Sequence, residues 1–254
     1  MDWAELTLLL MILARMSGCV LFNPLLGRQS IPGIVKNGLI LLLTVTIFAM
    51  TPYRPAVPGT VLETGVRLLL EMGIGYILGL VVNVFFMIPL VGGELIDVQM
   101  GMSMGKTYDP GSHASVSVTA NLLNILMMLL FLAANGHQTL LRIFLVSGEI
   151  VPFGAAAFGE AVYAAVVELF VDCALMSIKL CMPILAAELL GQVGMGILMK
   201  VIPQINVFAI NIELKVIIGL SLLLLLTAPF SEYLLTAETT MLRALRSLLP
   251  LMAG

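Results

Sequence analysis

Apolar residues gather into long runs along the chain, at Leu6–Phe22, Gly38–Met50, Met72–Val91, Thr119–Ala134, Ala155–Ala187 and Val216–Pro229. Such runs predict helices in a bilayer, because lipid leaves every backbone N–H and C=O to be satisfied within its own segment. A full crossing takes about 20 residues. By that measure Gly38–Met50 is short, Thr119–Ala134 is marginal and Ala155–Ala187 is too long for one straight span. Six clean crossings are therefore not expected; kinked, tilted or paired short helices account for the lengths better. Proline placement agrees. Pro89, Pro183 and Pro229 fall within or at the ends of apolar runs, where each should bend or stop its helix, and Pro52, Pro55 and Pro58 mark a loop.

Composition turns this pattern into a class. Of 254 residues, 60% are hydrophobic and 11% charged, with a mean hydropathy of +1.11. Soluble domains carry about 25% charged residues, so the chain lacks the polar surface of a water-exposed globule. The expected fold class is an all-α integral membrane protein, one membrane unit with no linker dividing it. A net charge of −3 excludes a basic nucleic-acid face. Cys19, Cys173 and Cys181 lie inside apolar runs without a Cys-x-x-Cys pair, which predicts buried thiols. The start, Met1-Asp-Trp-Ala-Glu, has no basic segment ahead of the first run and no cleavage site after it, so that run is expected to be retained. Lys and Arg are spread evenly over the connecting segments, and the positive-inside rule gives no orientation. That evenness points either to an unusual topology or to parts of the chain that do not stay in the bilayer as ordinary spans.

Several charges sit within or beside the apolar runs. At about 100° per residue, Glu168, Asp172 and Lys179 fall in one narrow sector of a helix, with Glu160 near its edge. Glu63, Arg67 and Glu71 form a second stripe at i, i+4, i+8 spacing, close enough to pair. Charges at membrane depth face a bundle interior, a partner or water. These two stripes therefore either hold a bundle together or line a conduit. Gly75-x-x-x-Gly79 and Gly101-x-x-x-Gly105 are small-xxx-small patterns that let another backbone come close. Gly75 and Gly79 continue the face of Glu71, which marks that side as an interface.

The central polar stretch from Gly92 to His113 is rich in glycine, alternates Met100, Met102 and Met104, and ends on the turn signal Tyr108-Asp109-Pro110-Gly111. Compliant backbone and adaptable methionines suit a seal that opens and re-closes, although the same composition can serve an ordinary connecting loop. Catalytic constellations are missing. His113 and His137 have no Cys, Asp or Glu at ligand spacing, and no phosphate loop or nucleophile elbow is present, so no enzyme, metal or cofactor is expected.

With these motifs in order, the chain resembles the R subunit of the flagellar type III protein-export gate, the FliR family, whose injectisome counterpart is SctT. The likeness runs over essentially the whole length. It begins with Arg15, Pro24, Pro32 and Lys36, then Glu71, Gly75 and Gly79. The Gly-Glu-Leu-Ile-Asp-Val-Gln-Met-Gly stretch (93–101), Asp109-Pro110, Asn135-Gly136-His137, Ser147, Pro152 and Gly154 follow. Its most specific part is late: Ala187-Glu-Leu-Leu-Gly191, then Pro203-Gln-Ile-Asn-Val-Phe208, Lys215 and Gly219-Leu220. Lys200, Asn211 and Glu213 depart from the usual Arg, Gly and Pro.

The resemblance implies kinked helices and broken hairpins, with a P-like portion over about 1–187 fused to a Q-like hairpin over about 188–254. It implies assembly with P- and Q-type subunits (FliP, FliQ), with FlhB and FlhA nearby, in the bacterial inner membrane within the flagellar basal body. Unfolded protein cargo would pass through the assembly. The central loop, about 101–119, would be a plug carried by Gly101, Met102, Met104, Gly105, Tyr108, Asp109 and Pro110. Arg67, Glu71, Gly75, Gly79, Glu168, Asp172 and Lys179 would be interface or intramembrane polar positions. Pro203, Gln204, Asn206 and Phe208 would form the bend of the C-terminal hairpin. The rival class is a secondary transporter of a small solute, which would normally show two related halves; no internal repeat is visible in the sequence.

Overall fold

The apolar runs become helices in the computed structural model, which describes residues 2–28, 30–52, 59–102, 117–201 and 207–253. Along the chain these are α1 (Trp3–Leu21), α2 (Gly33–Met50), α3 (Val61–Gln99), α4 (Val118–Ala133), α5 (Gly136–Ile150), α6 (Glu160–Val201), α7 (Val207–Leu225) and α8 (Thr227–Leu248), with a 3-10 turn at Leu249–Met252. No named strand occurs among the described residues; a single antiparallel bridge joins Ala156 to Ala253. The protein is an all-α integral membrane protein.

Four of these helices, α1, α2, α3 and α6, are long and apolar enough to cross a bilayer singly. Two further candidates are bent pairs: α4 with α5 at 69°, and α7 with α8 at 63°. Six straight spans are thus absent among the described residues, in line with the uneven run lengths. The α2 helix reaches 18 residues because it starts at Gly33, a turn before its apolar run. The α5 and α8 helices escape a hydropathy reading because they are amphipathic. In α5, Gly136, Leu140, Ile143, Phe144 and Ser147 are buried on one face, while Arg142 and Glu149 are exposed.

Pro89 and Pro183 lie inside α3 and α6, and neither ends its helix. Around them Phe85, Phe86 and Ile88, and Cys181 and Ile184, are buried, so packing holds the backbone on both sides of the lost N–H. Pro229 sits in the first turn of α8, where a missing donor is harmless. The breaks instead fall at Asn135 and Leu226. Asn135 adopts φ 58°, a left-handed conformation that ends α4 and starts α5.

Contacts divide the chain into two units that do not follow sequence order. The first holds Met1–Phe85, Asn135–Val171 and Glu238–Gly254; the second holds Phe86–Ala134 and Asp172–Ala237. In the first, α1 packs on α2 and on α3, with Leu8, Met11, Ile12, Met16, Ile74 and Leu78 at its centre. In the second, Phe86 meets Phe131 edge to face, and Leu123, Met127, Leu180 and Ile184 are buried.

Candidate functional site

A buried ion pair is the most constrained chemistry in the first unit, and glycine makes it possible. Gly18 on α1 and Gly75 on α3 oppose each other so closely that a Cβ on Gly18 would lie 2.6 Å from the Met72 carbonyl oxygen and 2.9 Å from Gly75 Cα. One turn further, a Cβ on Gly79 would lie 2.9 Å from the Phe22 backbone. This crossing brings Arg15 and Glu71, both fully buried, into reach of each other. Arg15 Nε donates to Glu71 Oε2 at 2.7 Å, and Nη2 lies 2.7 Å from the same oxygen, off the angle for a hydrogen bond. Arg15 Nη1 donates to the carbonyls of Ser147 and Val151, each at 3.0 Å, while Gly154 N donates to Glu71 Oε1 at 2.8 Å. The guanidinium also stacks 4.3 Å from the centre of the Phe153 ring. One charge pair therefore fixes α1, α3, the end of α5 and the turn that follows it, where Gly154 takes φ 88°.

Sequence spacing allowed Glu71 to pair with Arg67, and the structure assigns it elsewhere. Arg67 pairs with Glu63 at 2.5 Å, one turn back on α3. The neighbour that Gly75 and Gly79 admit is α1 of the same chain. Arg15 is the residue that the sequence left without a role. Its signal was a lone cation inside the first apolar run and an acid at the edge of the third, since such charges seek partners.

The second unit holds a smaller polar cluster at the ends of the central stretch. Ser117 caps α4, accepting from Ala120 N at 3.2 Å, and donates through Oγ to Asp97 Oδ2 at 2.6 Å. Thr119 N donates to the same oxygen at 3.2 Å. A carboxylate at a helix N-terminus is well placed both for the unpaired N–H groups there and for the helix dipole. Gly93 lies against the Ala120 backbone with no room for a Cβ, so the end of α3 and the start of α4 approach closely. Of the expected plug residues, Gly101 has φ 77° and, like Met102, is partly buried; Met104, Gly105, Tyr108, Asp109 and Pro110 lie outside the described residues. Met100 is fully buried, against Gly219 of α7.

The expected stripe of charges on α6 is not covered by this chain. Glu168, Asp172 and Lys179 are exposed, whereas Cys173, Ser177, Leu180 and Ile184 are buried on the same helix. Glu188 is buried with neither carboxylate oxygen hydrogen-bonded. Phe208 falls in α7, and Pro203, Gln204 and Asn206 lie outside the described residues. The three cysteines are buried free thiols. Among the described residues no group of three His, Cys, Asp or Glu side chains is placed to hold a metal.

Spanning helices locked by desolvated polar contacts, with charges left on an outer helix face, define a helical membrane protein of the kind that packs with others. Residues 6–240 match the family described as bacterial export proteins, family 1, and the chain belongs to it. It is similar to the flagellar biosynthetic protein FliR of Escherichia coli K12, 30% identical over 244 residues that cover 94% of this chain and 92% of the relative. The protein of the same name from Pectobacterium carotovorum is 31% identical over 228 residues, covering 88% and 85%. That of Bacillus subtilis is 24% identical over 249 residues, covering 95% and 94%.

Proposed function

We propose that this chain is a structural, non-catalytic subunit of the flagellar type III protein-export gate in the bacterial inner membrane. In this reading it joins P- and Q-type subunits (FliP, FliQ), near FlhB and FlhA, in the channel through which unfolded flagellar proteins leave the cell. The observation that carries the reading is the match to an export family over residues 6–240. Two features support it. Arg15 and Glu71, buried inside the chain, hold helices together. Glu168, Asp172 and Lys179 on α6 remain exposed, as expected of a face that meets another subunit. The division into a P-like portion (about 1–187) and a Q-like hairpin (about 188–254), bent around Pro203–Phe208, belongs to the same proposal. So does a plug role for Gly101 to Thr119.

Purification in mild detergent tests the assignment. A tagged chain expressed with the flagellar membrane subunits should come out in one large complex with P- and Q-type partners, and its deletion should abolish flagellin secretion. A chain that purifies alone, stable and monodisperse, from cells that still export flagellin would overturn it.

A further inference from the structure

The outer face of α6 asks for cover of a particular chemistry. Glu168, Asp172, Leu175, Lys179 and Met182 are all exposed along α6, so the chain itself leaves this side of the helix uncovered. Asp172 and Lys179 are seven residues apart, two helical turns or about 10.5 Å. At 100° per residue they fall within about 20° of each other on one side of the helix. Both are exposed, and among the described residues neither makes a hydrogen bond or an ion pair. Between and beyond them stand Leu175 and Met182, each about half exposed. Lipid would suit Leu175 and Met182 but would leave an anion and a cation facing hydrocarbon, and water would suit the charges but not the apolar side chains. A packed helix satisfies both when its own charges run in the opposite order.

We infer that this face of α6 receives a transmembrane helix of another protein, with a basic side chain level with Asp172 and an acidic one level with Lys179. The inference rests on the export-gate reading and names the chemistry of its partner at this face. Opposite charges in fixed order set both the register and the direction of the incoming helix, since a helix entering upside down would place like charges together. The apolar side chains between supply the contact area.

Two measurements test this in cells that carry the complete export apparatus. A photo-crosslinking phenylalanine analogue at Leu175 should give, on irradiation, an adduct with an identified membrane protein of the complex. Exchanging the charges, Asp172→Lys with Lys179→Asp, should cut that crosslinking and swimming motility at least tenfold, while the neutral Asp172→Asn, Lys179→Gln variant loses less. A second-site suppressor of the exchange should reverse a charge in a membrane helix of the crosslinked protein. If the wild-type chain co-purifies with its complex but Leu175 crosslinks only to lipid, the inference fails and the export-gate reading stands. The inference fails equally if the exchanged variant swims as well as wild type. If the wild-type chain enters no complex, the failure lies with the export-gate reading.

Discussion

Arg15 and Glu71 show how a residue costly in isolation becomes a positioning device. Neither is exposed, and between them they hold two carbonyls and one N–H of the segment from Ser147 to Gly154. A buried ion pair adds little net stability, but removing one partner strands the other and costs about 3–5 kcal/mol. Glu71→Leu is therefore expected to lower the level of membrane-inserted protein sharply. Adding Arg15→Met should restore much of that level, because the stranded guanidinium is then gone. Export should recover less, since Ser147, Val151 and Gly154 lose their anchor in both variants. Immunoblots of membrane fractions beside flagellin secretion would show the split, and equal recovery of both would refute the positioning role. The pair was half legible in the sequence. Glu71 stood out through its spacing from Arg67, which pointed to the wrong cation. The true partner is 56 positions away, and the contact depends on the Gly18–Gly75 approach, which i, i+4 arithmetic cannot register.

At the scale of helices, the positions of the breaks decide the architecture, and they lie where the backbone tolerates unusual angles. Asn135 separates α4 from α5 at 69° while its carbonyl accepts from the N–H groups of Gln138 and Thr139. A left-handed φ costs an ordinary residue roughly 1–2 kcal/mol, glycine almost nothing and asparagine little. Asn135→Gly should therefore leave stability nearly unchanged, whereas Asn135→Val should destabilise by about 1–2 kcal/mol. Thermal aggregation midpoints of the purified membrane complex would rank the two; a valine variant as stable as the glycine one would remove the argument. Run lengths foretold that the helices would not be six straight spans. They did not foretell where the chain turns, because Pro89 and Pro183 drew attention to sites where packing overrides the lost hydrogen bond. The α5 and α8 helices were invisible for a related reason: their stability comes from one buried face, so their mean hydropathy is low.

Across the molecule, the exposed apolar and charged faces suit the proposed gate subunit, and the ends of the central stretch are tied to each other. Asp97 links the end of α3 to Ser117 and Thr119 at the start of α4, so the segment between them leaves and returns at one hydrogen-bonded site. A segment closed in that way can be shortened without pulling its flanking helices apart, because its ends are held by Asp97 and by the Gly93–Ala120 approach. Removing residues 103–116 and bridging the ends with a short glycine-serine linker should therefore leave co-purification with partner subunits intact. If the segment seals the export path, cells carrying the shortened chain should admit small ions and dyes that wild-type cells exclude, while flagellin secretion persists. Asp97→Ala should produce a weaker leak with the segment still present, because the ends are then untied and α4 loses a carboxylate at its N-terminus. The comparison separates a seal from a connector. A connector predicts either no change on shortening or loss of the complex, and an assembled complex that stays impermeable after the deletion would count decisively against a plug.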